Sequence, residues 1–151
     1  MKVFTIGFTK KSAREFFTLL AASGAKRLVD VRLNNSSQLA GFSKRDDLEY
    51  FLGAICQMDY LHLPELAPTQ EILDAYKNKQ MDWPAYEQAF LQLLRERRVE
   101  ERIAREVLDG SVLLCSEPKP EKCHRRLVAE YFQRAWGNLD IEHLCLGKKK
   151  R

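Results

Sequence analysis

Two rhythms of hydrophobic and polar positions alternate along this chain. Lys2 to Phe8 (KVFTIGF) is a short run rich in β-branched and aromatic residues ending at a glycine turn, the pattern of a strand. From Ser12 the period lengthens: Phe16, Leu19 and Leu20 share a helical face, Ser12 and Glu15 have capping-box spacing, and Gly24 stops the helix near Ser23. Arg27 to Arg32 (RLVDVR) returns to a strand pattern, so the opening reads as a β-α-β unit with parallel strands and a right-handed crossover.

The alternation continues to the end of the chain. After a polar loop around Asn34, Ser37 and Gly41, Ser43 to about Met58 predicts a helix with Leu48, Phe51, Leu52 and Ile55 inward. Asp59 to Leu63 is a third strand, closed by Pro64. Two helices are predicted over about Thr69 to Asn78 and Asp82 to Arg97, the second with Asp82 as cap and Pro84 in its first turn, and a further helix over Arg98 to Leu108. Ser111 to Ser116 is a strand, Cys123 to Ala135 a helix and Leu139 to Leu146 a last strand. The expected fold is a three-layer α/β domain: a mostly parallel sheet of about five strands flanked by helices. It spans residues 1–147 as one domain, with a basic tail over 148–151.

Composition narrows the setting. A length of 151 residues, 45% of them hydrophobic, suits a single buried core and argues against disorder. No stretch approaches the roughly 18 apolar residues of a membrane helix, and the first residues lack the apolar centre of a signal peptide, so the expectation is a cytoplasmic protein with no membrane partner. Cys56, Cys115, Cys123 and Cys145 are then expected as thiols or ligands and not as a disulfide framework. The net charge of +4 owes much to Lys44, Arg45 and the terminal basic run, which attract polyanions weakly. Aromatic residues are not interleaved with Lys or Arg, so nucleic acid is a weakly supported partner beside a small anionic or nucleotide-like ligand.

Open α/β sheets bind ligands beyond the carboxyl ends of their strands. Gly7, Asp30, Arg32, His62, Cys115 and Glu117 all fall there. Asp30 is a candidate acid, base or hydroxyl acceptor and Arg32 an anion clamp, although the two suit a structural ion pair equally well. Cys123 stands where a helix begins, so unpaired N–H groups, the helix dipole and nearby Arg125 and Arg126 favour its thiolate and an anion alike. A phosphate-cradling loop headed by Cys115 is disfavoured, because Pro118 and Pro120 lack N–H groups. A dithiol pair requires the two Cα atoms to approach within about 6 Å. For metal binding, Cys115, Cys123 and His124 offer soft donors, with His62 or Glu117 as a fourth. Neighbouring residues in a helix point about 100° apart, however, so joint ligation by Cys123 and His124 is awkward and no metal is expected. The pattern names no cofactor and no oligomeric state. Cys56, His143, Cys145, Trp83 and Trp136 read as structural residues.

Five segments together resemble the family of domain of unknown function 488. They are Thr5-Ile6-Gly7-Phe8-Thr9, Asp30-Val31-Arg32, Tyr60-Leu61-His62-Leu63-Pro64, Leu113-Leu114-Cys115-Ser116-Glu117 and Cys123-His124-Arg125. The resemblance spans nearly the whole chain and implies an α/β fold with a clustered polar site, but no settled reaction. Two positions depart from the family pattern: Phe8 stands where histidine is common, and Asn35 stands near the usual proline. The expected function is an enzyme acting on a phosphate-bearing or nucleotide-like substrate. Its catalytic candidates are Asp30, Cys115, Glu117 and Cys123, and its binding candidates are Gly7, Arg32, His62, His124 and Arg125. The alternatives are a ligand- or metal-binding regulatory module without turnover and a purely structural polar network.

Overall fold

Five strands pair in the order β3-β2-β4-β1-β5, every pair parallel, in the computed structural model, which describes residues 1–34, 41–116 and 122–146. The strands are β1 (Lys2–Gly7), β2 (Arg27–Asp30), β3 (Asp59–His62), β4 (Ser111–Cys115) and β5 (Asp140–Leu144). The helices are α1 (Ala13–Ser23), α2 (Arg45–Phe51), α3 (Gln70–Lys77), α4 (Trp83–Arg97), α5 (Val99–Arg102), α6 (Arg105–Leu108) and α7 (His124–Trp136). The expected three-layer α/β domain is thus present, and its sheet is wholly parallel.

Local chemistry sets most element ends. Ser12 and Glu15 close a reciprocal capping box on α1, and Gly24 ends that helix at φ 76°, a left-handed conformation that costs glycine little. Thr69 and Asp82 each accept a backbone N–H at the starts of α3 and α4.

Three expectations are corrected. β1 and β2 are not neighbours, because β4 lies between them, with Ser111 in register with both Val3 and Arg27. Periodicity identifies strands but not partners. β4, buried along its whole length, takes the central place that covers both its faces. The helix expected over Arg98 to Leu108 is split into α5 and α6 at Ile103, whose extended backbone turns its side chain into the core. Ile55 is 49% exposed instead of inward, since α2 runs into a wider π turn over Leu52–Cys56 that rotates the apolar face.

Alternation along β4 divides the core. Val112 and Leu114 face α1 and α2, packing with Phe4, Ile6, Phe16, Leu20, Leu28 and Leu48. Leu113 and Cys115 face α4 and α7, packing with Val3, Val29, Phe90, Leu94, Leu127 and Phe132. The carboxyl ends of β1, β2, β3 and β4 lie together at one end of this sandwich, where nearly all the polar candidates sit.

Candidate functional site

The candidate residues meet in two groups, on opposite faces of the sheet. Asp30 follows the parity of Leu28 toward α1 and α2, and there it is wholly buried. Its carboxylate accepts from Arg32 Nε and Nη2 at 2.8 Å each, from the Arg32 backbone N–H at 3.1 Å and from the Tyr60 hydroxyl at 2.7 Å. Arg32, just beyond the end of β2, also donates to the Ser43 carbonyl and stacks over the Phe8 ring at 5.3 Å. Phe8, in the position where histidine was noted to be common, therefore supports the guanidinium. Among the described residues, Arg32 Nη1 has no hydrogen-bond partner. A buried charge needs this degree of pairing, and removing one partner of such a pair costs about 3–5 kcal/mol.

The second group lies toward α4 and α7. Cys115 is the last residue of β4, in register with Gly7 on β1, and Cys123 is the residue that caps α7. Their sulfur atoms are bonded to each other, and their Cα atoms are 7.5 Å apart. The expectation of thiols or ligands at all four cysteines is thus corrected for this pair, where a strand end and a helix start bring the two sulfurs together, while Cys56 and Cys145 are free. Cys123 has an extended backbone (φ −143°, ψ 141°), so its side chain is not rotated from that of His124 by a helical step. The expected divergence of these neighbours is corrected on that ground: Cys115 Sγ, Cys123 Sγ and a ring nitrogen of His124 all lie within 4.8 Å of one another.

His124 and Arg125 complete this group. His124 Nε2 lies 2.7 Å from the Val31 carbonyl, which can only accept, so Nε2 carries the hydrogen. Burial pushes the imidazole down to about 4, and the Arg125 charge adds to this against the opposing pull of the Val31 carbonyl, so at neutral pH Nδ1 holds a lone pair. The ring also meets Phe90 edge-on. Arg125 is wholly buried; its Nε donates to Thr5 Oγ1 at 3.3 Å and its Nη1 reaches Cys115 Sγ at 3.5 Å. Lys11 lies close enough that Arg125 adds to burial in lowering its pKa.

A pocket of about 130 Å³ opens over the two cysteines and His124. Ser116 and Lys122 edge it, and Tyr76, Trp83 and Tyr86 form a wall in which the Trp83 and Tyr86 rings stack 4.9 Å apart at 18°. The backbone joins the two groups. The segment after β2 sends its Val31 carbonyl to His124 and its Arg32 carbonyl to His62 Nε2 at 2.8 Å, while the Asp30–Arg32 pair fixes that segment.

Glu117 lies outside the described residues, as do Pro118, Pro120 and Asn35. Sequence reasoning missed Thr5, Tyr60 and the Trp83–Tyr86 wall. Tyr60 was legible as the residue sharing a strand face with His62; Thr5 had only its place as a hydroxyl in an otherwise apolar strand; and the wall depends on how α4 packs, which no local spacing encodes. His143 pairs with Thr5 at 2.6 Å, which fits its structural reading.

In comparisons with known proteins, the family described as Domain of unknown function DUF488 matches residues 12–132. No curated protein and no solved structure matches the chain.

Proposed function

The chain belongs to the DUF488 family, and we propose that this member is a thiol-dependent enzyme acting on the reactive end of a phosphate-bearing or nucleotide-like substrate. The observation that carries this reading is the wholly buried Arg125 guanidinium 3.5 Å from Cys115 Sγ, beneath a pocket. A fixed cation beside a sulfur favours thiolate over thiol once the pair is reduced, and the thiolate is the nucleophile. The pocket is smaller than the roughly 300 Å³ at which whole-ligand sites begin, so only one group of the substrate enters. The stacked Trp83 and Tyr86 rings suit a planar ring, and Lys122 at the rim, with Lys11 and Arg125 behind, suits an anion.

In the step this arrangement supports, the Cys115 thiolate bonds to an electrophilic atom of the substrate as that atom's bond to a leaving group breaks, and the leaving group departs with the electron pair. The Cys123 thiolate then attacks Cys115 Sγ and forms the sulfur–sulfur bond seen in the structure. The substrate fragment leaves with the second electron pair, and both released groups take up the two thiol protons. The substrate is thereby reduced by two electrons, and a small thiol reductant resets the enzyme. His124 relays protons through Nδ1, while Glu117 is a candidate acid on the sequence alone. Asp30, Arg32 and His62 act as positioning residues by holding the Val31–Arg32 segment, and Gly7 stands in register with Cys115 at the strand end. A cytoplasmic setting keeps such a pair mostly reduced.

The test uses the reduced protein with Trp136→Phe, which leaves Trp83 as its tryptophan. Nucleoside monophosphates are expected to quench its fluorescence, and alkylation of Cys115 by iodoacetamide is expected to proceed at neutral pH as a thiolate reaction that slows in Arg125→Lys. Absence of quenching would remove the nucleotide-like substrate. An alkylation profile rising only above pH 8, in parent and variant alike, would remove the activated thiol.

A further inference from the structure

We propose that the reduced forms of Cys115 and Cys123, together with His124, make a three-ligand site for a soft divalent cation of the zinc class, with the pocket side left as the open fourth position. This rests on the reading above only in requiring that the pair be reducible.

Donor convergence is the first support. Two sulfurs and an imidazole nitrogen within 4.8 Å of one another form a soft set of the kind that holds zinc with one position free. The surroundings of the donors are a second, independent support. Imidazole ligands of metals almost always donate their other ring hydrogen to a carbonyl or carboxylate, and His124 Nε2 already does so to Val31 at 2.7 Å. Arg125 Nη1, 3.5 Å from Cys115 Sγ, supplies the hydrogen bond that thiolate ligands receive from outer residues.

Backbone spacing and access agree. The Cα atoms of Cys115 and Cys123 stand 7.5 Å apart, wider than the 4.4–6.8 Å usual for bridged cysteines, so little main-chain movement is needed to seat an ion between separated sulfurs. The pocket edged by Ser116 and Lys122 gives the ion an entry path and room for water or a substrate atom. Charge balances as well: two thiolates neutralise a dication, and Arg125 remains as the facing positive group on α7, with Lys11 beyond it.

Formation of the site proceeds in two balanced steps. A phosphine or thiol reductant gives two electrons, and the sulfur–sulfur bond becomes two thiols with uptake of two protons. The cation then displaces those two protons as it binds. Bridge and metal therefore exclude each other, and the ion would hold the pair in its reduced state while occupying the nucleophile.

Cobalt(II) is the probe, because its thiolate complexes absorb in the near ultraviolet by charge transfer and its tetrahedral complexes absorb visibly. The full chain is reduced with a water-soluble phosphine under argon, and its thiols are counted with a chromogenic disulfide. Four are expected, against the two free cysteines of the bridged form. One equivalent of cobalt is expected to develop both absorptions, zinc to abolish them, and the bridged protein to show neither. Cys123→Ser is expected to weaken binding by more than the 10–100-fold typical of outer-residue changes. X-ray absorption of the zinc-loaded parent, which needs no variant, is expected to show two sulfur neighbours and at least one nitrogen. Four reactive thiols without charge-transfer absorption would overturn the metal site and leave the thiol enzyme standing. Two thiols after full reductant exposure would overturn both. Cobalt binding without nucleotide quenching of Trp83 would sustain the metal site and remove the proposed substrate class.

Discussion

His124 shows how one residue's surroundings set a measurable property of the protein. Its pKa is lowered from 6.5 to about 4, first by burial. The unfolded chain therefore binds more protons than the folded one between these values, so stability rises with pH across that window and is lost as pH falls from 6.5 toward 4. Since His124 keeps part of its surface exposed, the loss is expected to be roughly 2 kcal/mol, smaller than the full shift implies. Urea unfolding of the bridged, metal-free protein at pH 7 and pH 4.5 measures it, and His124→Asn should flatten that part of the profile. At this scale the sequence was informative about identity and silent about direction. Asp30, Arg32, Cys115, Cys123, His124 and Arg125 could all be named from strand ends and the start of a helix. Their division between two sheet faces follows from strand parity, but became visible only once β2 was seen to end at Asp30 with Arg32 folding back on it. The convergence of Cys123 with His124 depended on one extended backbone conformation that spacing does not encode.

Secondary-structure elements were legible where local chemistry decides them. Ser12, Glu15 and Gly24 mark both ends of α1 in sequence and in structure alike. Ser12→Ala removes the side chain that accepts the Glu15 N–H and is expected to lower stability by about 1 kcal/mol, read as a shift in the urea midpoint at unchanged slope. A shift of the same size in Ser12→Gly would contradict the capping explanation, because glycine at this position costs only a few tenths. Elements were less legible where packing overrides pattern. The break between α5 and α6 exists because Ile103 is drawn into the core, and the outward Ile55 follows from a wide turn that the amphipathic pattern of Leu48 to Ile55 does not announce.

Across the whole molecule, two apolar layers share one sheet. Phe16 anchors the layer under α1 and α2, and Phe132 the layer under α4 and α7; both are wholly buried. Phe16→Ala and Phe132→Ala are each expected to cost about 3–5 kcal/mol. Both tryptophans pack on the Phe132 layer, so fluorescence reports that side while far-ultraviolet circular dichroism reports both. Coincident transitions in both variants are expected, because β1, β2, β4 and β5 carry side chains into both layers. A Phe16→Ala protein that lost circular dichroism before fluorescence would mean that the layers unfold separately. Strand order was the least legible feature, since it is chosen among long-range partners of similar hydrophobicity.

That order also bears on how the chain is made. β4, the strand that joins β1 to β2, lies some eighty residues beyond β2 in the sequence, so a ribosome must deliver most of the polypeptide before β1 finds any hydrogen-bonding partner, whereas β2 can pair earlier with β3 alone. Until then the emerging chain displays β1 without a neighbour and β2 with one bare edge, the condition in which nascent proteins depend most on chaperones and on the pace of translation.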